Sequence, residues 1–494
     1  MPNAEIKGHR AVNDTIGIAE HASTAPSLRA QPLDPLSAVN MLAGLYFIQV
    51  WGFATAEHDT VLGTFLPLVA PGLVLISAIA VVMPRLHGII LFNALSFSAY
   101  YLVVSPIASN NQLTGFALCL VIIGAYSWVY FRKSDVESKS QALFDAIAGP
   151  GRWILPAMYF FGIYHKINVD FLDPTASCAV ELYRSLAIHF GMADLRPLHY
   201  FAIYITFMVE GIAMIALFIP RLKRFGLMIG LPFHIVIGLT GYSFYKDFST
   251  VVLILYALFL TPATYTAGVK SASRWVGSQQ RACDLGRLFL IGGTTLYFIV
   301  GLALKDEPSL VPTHSGFILP FAVYAILFYL GAVTFLPGTR SSAVERIGAW
   351  PRWLLIFPVL YFLNGWSPYF GLKTEASIAM YSNLHIEGGR TNHLIHGQLP
   401  GSFGYQNDLV YPTASNAEWF SDYYVGPEKA MAKYELDRLL AHVPDLRVEF
   451  IHRGRNVDSA VDDWPNSFLS TGPFMRKFLI FKPIDFNRPK ACTH

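Results

Sequence analysis

The feature that most constrains this chain is the recurrence of apolar runs as long as a bilayer is thick. They fall near residues 38–56, 61–83, 88–108, 114–131, 152–172, 199–219, 225–245, 248–261, 286–304, 315–336 and 350–366. A run of about 18 or more apolar residues with few charges reads as a membrane-spanning helix. The expected fold class is therefore an all-α polytopic membrane bundle of about eleven transmembrane helices, followed by a small α+β extracytoplasmic C-terminal domain. Composition agrees, since 14% of the residues are charged against roughly 25% in soluble domains.

The cations between these runs alternate. Arg85, then Arg132, Lys133 and Lys139, then Arg221, Lys223 and Arg224 lie in every second connection. Lys270, Arg274, Arg281 and Arg287, then Arg340, Arg346 and Arg352, continue the series. The intervening connections hold only Arg184, Arg196, Lys246 and Lys305. The positive-inside rule puts the richer set and the N-terminus in the cytoplasm. The expected location is the cell inner (plasma) membrane, multi-pass, with the C-terminal domain extracytoplasmic.

Four segments follow. Residues 1–36 are polar, lack the apolar core of a secretory signal, and read as a flexible cytoplasmic tail. Residues 37–262 form a first transmembrane domain, and 263–366 supply additional transmembrane helices. Residues 367–494 turn polar: Pro427 to Val443 has a helical pattern, while Leu446 to Ile451 and Lys477 to Ile484 read as strands. Gly388-Gly389 and Pro400-Gly401 mark turns.

A net charge of +3, with no basic run interleaved with aromatics, excludes a nucleic-acid partner. The four cysteines, Cys119, Cys178, Cys283 and Cys492, share no metal-ligand spacing, so no metal is expected. Cys178 and Cys492 could pair if both faced an oxidising compartment, but two free thiols are the preferred reading. His165, His234, His385 and His393 lack the spacing that would support haem or metal.

A charge near the bilayer centre costs roughly 3 kcal/mol, so the ionisable residues inside the runs need a reason. Glu210 and His234 sit mid-run in adjacent antiparallel spans, each about 15 Å deep at a rise of 1.5 Å per residue. A Glu210–His234 contact is expected, either as a clamp between helices or as a polar wall of a cavity. Lys166 lies towards the outer end of the fifth run, beside His165 and just before Asn168 and Asp170. It reads either as a lysine snorkelling to the interface or as an amine in an apolar wall, a group able to act as a base near neutrality. Asn110, Asn111 and Gln112 form an amide cluster on the same outer side; a hydrogen-bonded turn or a polar ligand contact would both use it. Glu387, Arg390, Asn392 and His393 surround a Gly-Gly turn, as an exposed loop or as a cap over Lys166.

The run Tyr159-Phe160-Phe161-Gly162-Ile163-Tyr164-His165-Lys166-Ile167-Asn168-Val169-Asp170-Phe171-Leu172 resembles a segment of the vitamin K-dependent gamma-carboxylase superfamily. That segment has the form Y-x-x-A-G-x-K-K-L-(D/N)-x-(D)-(W/F)-(L/V), and bacterial members carry it in a horizontally transferred transmembrane (HTTM) domain. Looser likenesses follow at Glu210, at Phe233 to Gly238, at Phe248-Ser249 with Leu255 to Leu260, at Pro368 to Thr374, and at Asn383 to Leu394. The resemblance implies an HTTM bundle over roughly residues 38–262. It implies that Lys166 is the base that deprotonates a reduced, vitamin K-like quinone. Oxygen (O2) then converts the quinol to an epoxide, a strongly basic intermediate removes a γ-proton from a protein or peptide glutamate on the outer side, and CO2 adds.

His165 stands where the family has its first lysine, and Gln112 where its Asn-Asn-His element has histidine. Gln112 cannot titrate, so a step needing that imidazole loses its group here. The outer tail is also shorter than in the animal enzymes, which removes the basis for propeptide recognition. The resemblance thus implies catalytic roles at Lys166, His165 and Gln112, with Asn111, Glu210, His234, Asn392 and His393 around the substrate. Membrane lipid is the expected surrounding partner. A transporter with a path past Glu210 and His234, and a non-catalytic membrane scaffold, are the alternatives; the first lacks the internal two-fold symmetry of spans it calls for.

Overall fold

A computed structural model of the chain describes residues 34–54, 66–131, 139–238, 245–260, 273–278, 281, 285, 348–400, 403–487, 489–490 and 492. The expected runs near 286–304 and 315–336 lie outside these residues, as does the N-terminal tail up to residue 33. Pro35 and Leu36, placed in the tail by the sequence, instead open the first helix.

The helices are α1 (Pro35–Ala54), α2 (Leu66–Val82), α3 (Gly88–Val104), α4 (Asn110–Phe131), α5 (Lys139–Gly151) and α6 (Ile154–Tyr164). They continue as α7 (Val169–Leu172), α8 (Cys178–His189), α9 (Arg196–Ala216), α10 (Lys223–Gly238), α11 (Tyr245–Ala257) and α12 (Ile356–Gly365). Among the described residues, two helices, Asn110–Phe131 and Arg196–Ala216, are long and apolar enough to cross a membrane. The expected bundle of about eleven transmembrane helices is therefore overturned. Four further apolar helices, Val69–Val82, Gly88–Val104, Asp247–Ala257 and Arg352–Gly365, fall in the 10–17 residue class, short of the roughly 20 residues a span needs.

The physical reason is that apolar composition does not mark where a backbone breaks. The fifth run shows this best. Its helix stops at Tyr164, and Asn168 adopts an extended conformation (φ −142°, ψ 161°). The Asn168 side chain then accepts a hydrogen bond from the Phe171 N–H and caps a new four-residue helix. One long apolar stretch thus becomes two helices with His165 and Lys166 at the break.

The helices share one core in which Tyr46, Phe47, Trp51 and Phe97 meet edge-on or tilted. Helix α9 packs against α6, α8 and α10, and its polarity is reversed. His199, Thr206 and Glu210 are buried with Ile203, Ala213 and Ala216, whereas Phe201, Tyr204, Met208 and Ile215 are each 57–59% exposed.

After α12, residues 367–394 cross the end of the helical body; Ile378, Met380 and Tyr381 belong to its core. The chain then builds a five-stranded antiparallel sheet in the order β4-β3-β1-β2-β5. Its strands are β1 (Leu409–Ser415), β2 (Lys429–Ala432), β3 (Val448–His452), β4 (Arg455–Asp458) and β5 (Ile484–Asp485). Helices α13 (Glu418–Tyr424) and α14 (Lys433–His442) cover a separate core of Val410, Phe420, Met431, Leu436, Val448 and Phe450. The helix expected over Pro427–Val443 is thus a strand followed by a helix. The strand expected over Lys477–Ile484 is confined to its last residue, because a short helix, Pro473–Phe478, takes the start. Leu479 and Phe481 between them are buried beside Ala432 and Tyr434 without joining the ladder.

Cys178 and Cys492 form a disulfide, with Cα atoms 4.9 Å apart, which corrects the reading of two free thiols. The pairing follows from docking of the tail. Asn383 accepts from the Cys178 N–H at 2.8 Å and donates to the Lys490 carbonyl at 2.7 Å, bringing both ends of the bond together. Cys119 is free and buried.

Candidate functional site

A cavity of about 300 Å³ lies between α6, α8, α9 and α10, with Ile378, Met380 and Tyr381 of the crossing segment on one side. Its surface is mainly apolar and aromatic, and includes Met158, Phe171, Leu182, Phe233 and Phe248. Leu198, Phe201 and Val236 also line it while being 38%, 59% and 45% exposed. Lining residues contributed by α9 and α10 thus include apolar side chains that are also exposed on the outside of the helical body.

Lys166 and Glu210 supply the charge. Lys166 stands just after the last turn of α6 and is turned inward, 5% exposed, not snorkelling. Its Nζ donates to Glu210 Oε1 at 2.6 Å. Glu210 Oε2 is buried and has no hydrogen-bond partner among the described residues. Gly162, one turn before Lys166, makes room for this carboxylate: a Cβ there would lie 3.2 Å from Oε2. The Lys166 ammonium also sits 5.7 Å from the centre of the Phe171 ring, within cation–π range.

His234 takes a different partner from the one expected. Its Nε2 lies 2.7 Å from the Tyr159 hydroxyl, which is 2.5 Å from the Tyr256 hydroxyl. His234 Nδ1 is buried without a partner among the described residues. The expected Glu210–His234 contact gives way to two separate contacts among residues lining the cavity, Glu210–Lys166 and His234–Tyr159. Depth fixes how far along a helix a residue sits, but the rotation of each helix chooses its neighbour.

The remaining sequence-predicted residues hold the body together outside the cavity lining. His165 is buried with Nδ1 3.3 Å from the Ile378 carbonyl and Nε2 3.1 Å from the Gly365 carbonyl. Gln112 Oε1 accepts from the Ser109 N–H at the start of α4, and Asn111 donates to Asp247 Oδ1 at 3.1 Å. Asn392 donates to Asp170 Oδ2 at 2.7 Å and to the Asn383 carbonyl at 2.6 Å. His393 Nε2 lies 2.9 Å from the Tyr164 carbonyl, and its backbone bridges Asn168. The Val169 N–H donates to the Asn392 carbonyl, and the Leu394 N–H to the Ile167 carbonyl. Asn392 and His393 thus dock the tail onto the break that carries Lys166, rather than forming a free loop.

Several residues that shape the site were not singled out by the sequence. Ala376, Ile378, Tyr381 and Asn383 have φ of 48°, 63°, 53° and 53°, a left-handed conformation that costs non-glycine residues about 1–3 kcal/mol each. They are held there from the helical body: Asn110 accepts from the Ile378 N–H, Asn364 donates to the Ala376 carbonyl, and Asn168 donates to the Ser382 carbonyl. Asn110 is the member of the amide cluster that acts on the cavity, indirectly, by fixing this segment. Tyr159 had a legible signal. With Gly162 and Lys166 it falls at i, i+3 and i+7, one helical face.

No family model, curated protein or solved structure matches the chain.

Proposed function

We propose that the chain is a membrane-associated enzyme that binds a lipid-soluble, hydroxyl-bearing ring compound of the reduced-quinone type and removes a proton from its hydroxyl. The observation that carries this reading is the half-used Glu210 carboxylate, paired with Lys166 on one oxygen and bare on the other, inside an aromatic cavity. The reversed polarity of α9 supports access from an apolar phase, because its exposed face is the greasy one. The resemblance around Lys166 supports the same ligand class and the same base.

The residues fit such a head group. Glu210 Oε2, unpartnered among the described residues, is an acceptor for a hydroxyl, and His234, another residue lining the cavity, offers a second polar atom in Nδ1. With the shared proton resting on Glu210, Lys166 presents a neutral amine. Once Lys166 takes the hydroxyl proton, its cation sits beside the new oxyanion, with Glu210 behind it as proton store. Apolar neighbours such as Phe171 and Phe248 keep water out and strengthen that attraction. A bound reduced quinone would supply the redox chemistry, with O2 as oxidant.

The test is oxidation of reduced 2-methyl-1,4-naphthoquinone by the full-length chain in nanodiscs. Lys166→Ala is expected to lower turnover about 100-fold or more while thermal unfolding stays cooperative. Full turnover in a folded Lys166→Ala variant sinks the reading.

A further inference from the structure

We infer that His234 is a hydrogen-bond donor to the ligand through Nδ1, and that Tyr256 and Tyr159 are positioning residues that set its tautomer. The ligand half of this inference rests on the quinol reading above; the tautomer half does not. His234, Tyr159 and Tyr256 are 1%, 1% and 0% exposed, so no bulk water satisfies them.

Three protons and two contacts have to be arranged along Tyr256–Tyr159–His234. In one order the Tyr256 hydroxyl donates to Tyr159, and the Tyr159 hydroxyl donates to Nε2. The imidazole proton then sits on Nδ1, and the one hydrogen left without an acceptor among the described residues is that N–H, on a side chain lining the cavity. If Nε2 carries the proton instead, it donates to Tyr159, and one tyrosine hydroxyl hydrogen is left buried with no acceptor. A bare Nδ1 lone pair is then left as well. Each order leaves one buried hydrogen without an acceptor among the described residues, on Nδ1 in the first and on a tyrosine in the second, so the cost of about 1–3 kcal/mol for an unpaired buried donor is common to both; the first is favoured because only the second also strands the Nδ1 lone pair.

Packing enforces the chain. Gly230 lies one turn before His234 on α10, and a Cβ there would fall 1.7 Å from the Tyr256 hydroxyl oxygen. The glycine therefore admits the hydroxyl that starts the relay. The outcome is a donor, His234 Nδ1–H, on one residue lining the cavity and an acceptor, Glu210 Oε2, on another. A head group bearing both an acceptor oxygen and a hydroxyl, on one ring, satisfies the two; a simple hydrocarbon satisfies neither.

The experiment uses the full chain with ¹⁵N-labelled histidine in lipid, where nitrogen shifts distinguish the two tautomers and the His234 signal is assigned by its loss in His234→Asn. The ligand-free protein is expected to show the Nδ1–H form, and Tyr256→Phe to shift it towards a mixture. Binding of reduced 2-methyl-1,4-naphthoquinone is then compared between two replacements. Asparagine places its amide N–H near the Nδ1 position and is expected to bind within about threefold of the native chain, whereas His234→Gln, reaching towards Nε2, is expected to weaken binding about tenfold. An Nε2–H tautomer in the native protein, or His234→Gln binding as tightly as histidine, overturns the inference. Failure of the native chain to bind the naphthoquinol, with the Nδ1–H form in place, overturns the quinol reading and leaves the relay standing.

Discussion

Two buried lysine–carboxylate pairs, one in each half of the molecule, have opposite hydrogen-bond economies. In the sheet domain, Lys433 donates to Asp437 Oδ2 at 2.5 Å, one turn apart on α14. Asp437 Oδ2 also accepts from the Ser467 N–H at 2.8 Å and from the Ser467 hydroxyl, while Oδ1 accepts from Trp464 Nε1 at 2.6 Å. Lys433 has a second acceptor, the Pro465 carbonyl, at 2.8 Å, and lies over the Trp464 ring. In the helical body, Glu210 accepts from Lys166 alone among the described residues and leaves Oε2 bare. Both carboxylates are removed from water, so solvation does not explain the difference. A saturated pair is a joint; a pair with an open oxygen beside a cavity is a place for something else to bind.

The largest expected effect breaks the saturated pair. Asp437→Ala strands a buried ammonium and the Trp464 and Ser467 donors together, so unfolding free energy should fall by about 3–5 kcal/mol. Denaturant titration would read this loss, while ligand affinity of the molecules still folded stays unchanged. A loss below about 1 kcal/mol would mean that Asp437 is not the joint its contacts describe.

Next comes the staple between the two halves. The Cys178–Cys492 bond spans 314 residues of sequence and fixes the start of α8, whose Ala179, Leu182 and Leu186 wall the cavity. Replacing both cysteines by serine should lower stability by about 2–4 kcal/mol and also weaken ligand binding, measured by thermal unfolding with and without the naphthoquinol. Equal affinity in the serine variant would detach the tail's staple from the cavity.

How much of this was legible in the sequence differs between the same two regions. Lys166 and Glu210 stood out because charge inside an apolar run is costly, and both reached the cavity. Their pairing did not stand out, since helix rotation is set by packing that no single run records. The break at Asn168 was hidden for a similar reason: although its cap is local, its bridge to His393 and the Ser382 carbonyl it donates to come from the tail, more than 200 residues later. In the sheet domain, β3 was readable from alternation, with Val448 and Phe450 buried around exposed Glu449. The segment Leu479–Phe481 was not, because it is apolar for burial against α14 rather than for pairing. The Cys178–Cys492 bond depended on Asn383, whose role exists only once the tail has docked.

A smaller effect concerns charge at the seam. Lys373 is 4% exposed, and burial pulls its ammonium down to about 7, with Glu375 opposing that shift. Between pH 7 and the ordinary lysine value of 10.5, the unfolded chain holds this proton and the folded chain does not. Stability should therefore rise with pH across that window, by at most about 1.4 kcal/mol per unit, and lose this contribution as pH falls to 7. Burial lowers Lys490 and Lys477 as well, adding slope of the same sign. The difference between native and Lys373→Met isolates the one lysine: the variant should lose part of the slope and gain stability near neutral pH.

The smallest expected change in stability is the sharpest test of the contrast. Replacing Lys166 by Met and Glu210 by Leu together removes two buried charges and leaves no donor or acceptor stranded, because neither has another hydrogen-bond partner among the described residues. Exchanges of this kind are often neutral or stabilising, so the unfolding midpoint should hold or rise. Naphthoquinol binding and turnover should vanish. The matching exchange in the sheet domain, Lys433→Met with Asp437→Leu, leaves Trp464 Nε1 and the Ser467 N–H without acceptors and should destabilise. If the helical pair proves the costlier of the two to remove, Lys166 and Glu210 are a joint after all, and the bare oxygen is not an opening kept for a ligand.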